Sequence, residues 1–177
     1  NASALIPGTT STISITRNAA TAIIQGIEAD FTALVTPNLE LTAGIVFTDA
    51  EFDRYVSGGV DLSGRPIIFA PDLTYSVSAN YTVPLPFGSA GFRVDYMWED
   101  VTATSEPAAF RDEYEILSAR ATLDFDAAGF SVAIYGTNLT EEDNVMFLTD
   151  TRGSIGILSE HGSLPPRTVG IQLVKDF

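Results

Sequence analysis

The chain has 177 residues with 9 basic and 23 acidic side chains, a formal net charge of −14, yet 45% of it is hydrophobic and its mean hydropathy is +0.18. So acidic a chain offers no basic stripe to a phosphate backbone, which excludes nucleic acid as a partner, and the absence of cysteine excludes disulfides, thiolate metal sites and cysteine nucleophiles. No apolar run approaches the ~18 residues of a membrane-spanning helix, so any membrane crossing must be made by β-strands.

In chain order, Asn1 to Pro7 lacks the charged region and apolar core of a signal peptide. For an exported protein this implies processing or a fragment. Ser11 to Arg17 reads as the tail of an earlier strand or as a loop. Strict alternation then begins. Ile27, Ala29, Phe31, Ala33 and Val35 oppose Glu28, Asp30 and Thr32, and Leu39, Leu41, Ala43, Ile45 and Phe47 oppose Glu40, Thr42, Gly44 and Thr48. Tyr75, Val77, Ala79, Tyr81 and Val83 form the apolar side of the third strand, and Phe92, Val94, Tyr96 and Trp98 that of the fourth. Leu117 to Phe125 and Phe130 to Ile134 follow, and the last strand sets Val169, Ile171, Leu173 and Phe177 against Thr168, Gly170, Gln172 and Asp176. Each of these seven strands is plausibly ~9–12 residues long, enough to cross a bilayer at a tilt, whereas strands of soluble domains average about 5–6.

The connections alternate in length. Thr36-Pro37-Asn38, Pro84 to Ala90 and Asp126 to Gly129 are short; Asp49 to about Ile67, Asp100 to about Glu113 and Thr140 to Pro166 are long and hold most of the acids. Transmembrane barrels have this asymmetry, with tight periplasmic turns and longer external loops. Tyr75 and Tyr81 mark opposite ends of one strand, and Phe92 and Trp98 opposite ends of the next, as interfacial girdles require. The expected fold is therefore all-β, an antiparallel transmembrane β-barrel. Seven strands cannot close a bacterial single-chain barrel, which uses an even number. Either more barrel lies upstream, or a strand near Thr12 to Thr16 completes a small eight-stranded barrel with a structural, adhesive or enzymatic role. A soluble β-sandwich binding module is the third alternative.

Several motifs carry a resemblance. Asn18 to Phe31, then Thr36-Pro-Asn-Leu-Glu-Leu-Thr-Ala-Gly44 and Thr48-Asp-Ala-Glu-Phe52, are similar to the carboxyl-terminal barrel portion of a TonB-dependent outer-membrane receptor. Phe69-Ala-Pro-Asp-Leu-Thr-Tyr75, Tyr135-Gly-x-Asn-Leu-Thr140 and Pro166-Arg-Thr-x-Gly170 resemble further segments of that family, in order and over nearly the whole chain. The resemblance implies a barrel of about 22 strands around an amino-terminal plug, with residues 1–177 forming its carboxyl-terminal segment and the plug and earlier strands lying outside this chain. It also implies energy-coupled uptake of a siderophore, corrinoid, haem or oligosaccharide across the bacterial outer membrane. The partners are then outer-membrane lipid, the rest of the barrel and plug, and TonB acting through the plug. Gly170, Ile171, Leu173 and the terminal Phe177 resemble the signal read by the barrel-assembly machinery, although Lys175 stands where an aromatic or apolar residue is common.

Glu28, Asp30, Arg93, Asp95, Arg120 and Asp124 share the polar side of the alternation, the expected lumen, where they either line the substrate path or satisfy one another. Arg93 and Arg120 are the strongest candidates, because anionic ligands need cations and few are available. No catalytic residue, metal or cofactor is assigned. His161, beside Ser159, Glu160 and Ser163, has no nucleophile elbow and reads as an exposed loop residue. Glu141, Glu142, Asp143 and Asn144 lack the spacing of a calcium loop and read as a solvated acidic turn. Asn80-Tyr-Thr82 and Asn138-Leu-Thr140 match the glycosylation pattern by coincidence, both being placed in strands.

Overall fold

A computed structural model describes residues 2–5, 12–15, 20–57, 59–105, 109–151 and 157–175. In chain order the strands are β1 (Ala2–Leu5), β2 (Thr12–Ile15), β3 (Ala20–Thr36), β4 (Leu39–Ser57), β5 (Val60–Asp61), β6 (Leu73–Leu85) and β7 (Gly88–Glu99). They continue with β8 (Thr102–Ser105), β9 (Ala109–Arg111), β10 (Tyr114–Phe125), β11 (Phe130–Thr137), β12 (Val145–Thr151), β13 (Ile157–Ser163) and β14 (Thr168–Lys175). The seven long strands expected from alternation pair into one antiparallel meander in the order β14-β11-β10-β7-β6-β4-β3. Among the described residues, β3 and β14 each have one neighbour, so both outer edges of this sheet are open. β2 pairs with β1 in a separate ribbon rather than with β14, so the eight-stranded closure does not occur.

One rim carries the short turns. The Asn38 carbonyl accepts from Thr82 N at 2.9 Å and the Phe87 carbonyl accepts from Asp126 N at 3.1 Å, so adjacent turns are stitched together. A 3₁₀ turn, Asp126–Ala128, links β10 to β11 and is closed by Gly129 in the left-handed region at φ 55. The opposite rim departs from expectation, because its long connections are structured. β4 continues through Asp49 to Ser57 as a tall hairpin with β3, and the returning chain pairs on its other side through Ile67 N to Ala50 O at 2.9 Å and Phe52 N to Arg65 O at 3.0 Å. The segments 100–113 and 140–166 likewise contain the β8–β9 and β12–β13 hairpins. Backbone groups in a long connection need partners, and a hairpin supplies them locally.

The sheet has no core of the soluble kind: no large side chain among the described residues is fully buried. Register explains where the apolar residues go instead. Phe31, Ala43, Val77, Tyr96 and Leu117 form one cross-strand row, and Ala33, Leu41, Ala79, Val94, Ala119, Gly136 and Val169 another. Leu41, Ile45, Val77, Val94, Ala121 and Leu173 therefore share a single face, as the alternation requires. Val77 and Val94 remain 46% and 44% exposed in the middle of the sheet. A sandwich would bury that face against a second sheet. Here it stays bare.

Candidate functional site

Aromatic girdles bound the apolar face. Tyr75 is paired directly with Trp98, their rings stacked at 5.3 Å, and Tyr81 is paired with Phe92. At the turn rim Phe125 lies between Phe87 and Phe130, at 5.2 and 5.9 Å. From Trp98 to Gly88 is ten residues, about 33 Å of strand at ~3.3 Å per residue, or about 25 Å along the normal at a ~40° tilt. That is the height of the outward apolar band of outer-membrane barrels. Glu115, opposite Trp98 at the upper edge of the band and the one carboxylate on this face of it among the described residues, accepts a hydrogen bond from the Tyr96 hydroxyl at 2.6 Å.

The other face is polar, and it gathers all six candidate residues. Thr32, Thr42, Ser78, Asp95 and Ser118 form one row across five strands; Glu40, Asn80, Arg93, Arg120 and Tyr135 form the next. Glu28 and Asp30 stand two and one rows above, and Asp124 two rows below, where it accepts from Ser89 Oγ at 3.1 Å. Asp95 accepts from Arg93 Nε at 3.0 and 2.8 Å and Nη2 at 2.6 Å, and from Ser78 Oγ at 2.7 Å. Arg93 is thus neutralised by its own strand. Arg120, directly across from Arg93, has neutral partners: Thr122 Oγ1 at 3.3 Å, the Gln172 side-chain carbonyl, and the Tyr135 ring at 5.9 Å. Within this polar field Arg120 is, among the described residues, the cation held by neutral groups rather than by a carboxylate.

Of the assembly-signal residues, Gly170 lies on the polar face beneath Tyr135. A Cβ there would come within 2.6 Å of the Tyr135 hydroxyl oxygen, so any larger residue would have to push the ring aside from its place over this part of the wall. Ile171 and Leu173 point to the apolar face. Phe177 lies outside the described residues.

Sequence reasoning missed the residues that organise the long-connection rim. Arg111, 6% exposed, is ion-paired with Glu99 and sits 4.6 Å over the Tyr114 ring, while the Tyr114 hydroxyl donates to Glu99 at 3.2 Å. Asn138 lies not in a strand but in the turn beyond β11, at φ 50. Its amide donates to the Glu142 and Pro165 carbonyls at 2.7 and 2.9 Å, and its oxygen accepts from Glu142 N at 2.8 Å. The Tyr-Gly-x-Asn-Leu-Thr segment therefore pins the start of the last long connection to its end. Asn144 donates to the Asp112 and Glu113 carbonyls at 3.1 and 2.8 Å, and Glu141 pairs with Arg167 at 2.6 Å. The acidic turn is thus a set of ties as well as a solvated surface. His161 falls in β13 opposite Leu148 rather than in an open loop; its side chain is outside the described residues.

An open antiparallel wall with an apolar band between aromatic girdles and a wet, charged reverse side is a sector of a large outer-membrane barrel. Residues 1–139 match the TonB dependent receptor-like, beta-barrel family, and the chain belongs to that family, a family of the bacterial outer membrane. Among solved structures it is similar to the ferric yersiniabactin uptake receptor FyuA from Yersinia pestis, with a TM-score of 0.75 and 16% identity over 88% of this chain. It spans 24% of that receptor's length.

Proposed function

We propose that this chain forms the carboxyl-terminal sector of the wall of a TonB-dependent receptor that takes up a scarce nutrient across the outer membrane. The single observation that carries this reading is the two-sided register, with the charged and hydroxyl side chains collected on one face of a sheet whose other face is an apolar band about as tall as a bilayer core. The short-turn rim is periplasmic and the knitted hairpins are external. The polar face lines the lumen, where Arg120 is the group best placed to meet an anionic part of the plug or of the ligand, with Arg93, Asp95, Glu28, Asp30 and Asp124 as further charged groups on the same face. The plug, TonB and the barrel-assembly machinery are the expected protein partners, and the work of this segment is passage rather than catalysis.

The ligand class remains one of four: a ferric siderophore, a corrinoid, a haem or an oligosaccharide. The fold neighbour's uptake of ferric yersiniabactin supports the first. The test is growth rescue by the full-length receptor in a receptor-deficient Gram-negative strain, with each nutrient in turn as the limiting source. Rescue by one class that disappears when TonB is deleted is the expected result. Rescue that persists without TonB, or a protein recovered from the soluble fraction without detergent, overturns the proposal.

A further inference from the structure

The uptake reading makes no use of Lys175 or of a groove on the apolar face. Lys175 is the only lysine in the sequence. It pairs with Phe130 at the turn rim on the apolar side of the sheet, and its ammonium donates to the Ala128 carbonyl, which occupies one of its three N–H donors. Higher on the same face, a shallow groove of about 290 Å³ is floored by Ala119, Ala121 and Gly136 and walled by Phe92, Leu139 and Val169. A Cβ at position 136 would come within 2.6 Å of Leu139 Cδ2, so the bare glycine lets Leu139 lie down as a wall. From the groove wall at Val169, Ile171 and Leu173 carry a continuous apolar path down the edge strand to the lysine.

We propose that this strip binds one phospholipid of the periplasmic leaflet, its phosphate on Lys175 and the end of an acyl chain in the Ala119/Gly136 groove. The inference rests on the reading above that the short-turn rim is periplasmic. The geometry is that of a single leaflet. From Phe130, the partner of Lys175, to Gly136 is six residues, about 20 Å of strand and about 15 Å along the normal at a ~40° tilt, just past the middle of the ~25 Å apolar band. The groove is continuous with the lipid-facing band and lies at chain-end depth, while the cation lies at headgroup depth. A lipid of the opposite leaflet would place its headgroup beside Tyr75 and Trp98, where no lysine stands.

The test uses the full-length receptor, correctly inserted as judged by unboiled gel mobility, and native mass spectrometry against phosphatidylglycerol with two 16-carbon or two 8-carbon chains. Lys175→Gln should weaken retention of both lipids by about fivefold, the effect of one basic residue near an anionic surface. Ala119→Leu should fill the groove and weaken retention of the long-chain lipid alone; should that variant not insert, Ala121→Leu fills the same floor. Equal retention of the long-chain lipid by wild type and variants, or equal loss of both lipids on filling the groove, overturns the site. Labelling of Asp126→Cys in intact cells by a membrane-impermeant maleimide would overturn the orientation, and this proposal with it. Protection of that cysteine together with equal lipid retention would overturn the lipid site while leaving the receptor reading standing.

Discussion

Val94→Arg is the sharpest probe of which face meets lipid. Val94 is paired with Ala79 and Ala119 and lies four residues from Trp98, about 13 Å of strand or about 10 Å along the normal, close to the middle of a ~25 Å band. Val77 is only two residues from Tyr75, about 5 Å along the normal, within snorkelling reach of the girdle. Arginine on the lipid face costs about 2–4 kcal/mol at the midplane and about 0–1 near the interface. Val94→Arg should therefore reach the upper part of that range and Val77→Arg should fall below it. Asn80→Arg, one residue along from Ala79 on the polar face, should be close to neutral. The assay is equilibrium urea unfolding of the full-length receptor in lipid vesicles, followed by tryptophan fluorescence and by gel mobility. If Val94→Arg were neutral while Asn80→Arg cost several kcal/mol, the faces would be assigned the wrong way round. If both were neutral, the sheet would not be in a bilayer.

Deleting Phe177 from the full-length protein should lower the inserted amount, read as the heat-modifiable fraction of outer-membrane preparations, with uptake per inserted molecule unchanged; normal insertion with impaired uptake would contradict an assembly role. Arg111→Met should leave the Glu99 carboxylate without its cation, though still with the Tyr114 hydroxyl, and loosen the β8–β9 hairpin by about 1–3 kcal/mol, less than a fully buried pair because Glu99 is partly exposed, and faster amide exchange across 102–111 would show it. Exchange in that hairpin as slow as in the wild type would mean that other contacts hold it. The Ser63 hydroxyl, and then its N–H, hold the Asp61 carboxyl below its ordinary range. A depressed carboxylate stabilises the turn above its unfolded-state pKa and loses that contribution as pH falls through the folded value. Rate-corrected exchange in the 55–65 segment should accordingly be unchanged between neutral pH and the ordinary carboxylate range and rise only below it, and Asp61→Asn should abolish the step.

The wall was legible because its signal is local and repeated. Period-two alternation over seven segments identifies the strands, and the strict short–long sequence of connections fixes an up-and-down meander, so the rows Thr32 to Ser118 and Phe31 to Leu117 follow with little freedom. Ties across the long-connection rim were not legible. Arg111 meets Glu99, Asn144 meets the Asp112 and Glu113 carbonyls, and Asn138 reaches Pro165 across 27 residues. Nothing in a single sequence marks such partners, because a polar residue in a connection has the same composition whether it faces water or a buried carbonyl. Asn138 alone left a trace. Asparagine just past a strand end is a residue that tolerates positive φ, and its amide can cap the chain there.

The β3–β4 extension shows why charge was misread as the end of a strand. Up to Phe47, the odd residues of β4 are apolar and face lipid. Beyond it the same parity carries Asp49, Glu51 and Asp53, and the apolar residues Ala50 and Phe52 move to the other side, opposite Ile24 and Ala22. From Phe47 to Phe52 the period of two holds and only its polarity inverts; an irregularity at Asp53, between the Ala22–Phe52 and Thr21–Arg54 pairs, interrupts it further up. Above the Tyr75–Trp98 girdle the outer surface meets water instead of hydrocarbon, so the outward parity must become polar, as in Gln25 donating to Asp49 at 2.9 Å and Thr21 to Asp53 at 3.0 Å. A run of acids adjoining a lipid-facing strand is therefore compatible with more strand. The residue at which alternation changes sign, here between Phe47 and Asp49, marks the height of the membrane surface on the wall. The same rule applied at the turn rim puts Lys175, one step past Leu173 on the apolar parity, at the opposite surface. There a cation in place of an aromatic belongs to the headgroup layer rather than the hydrocarbon.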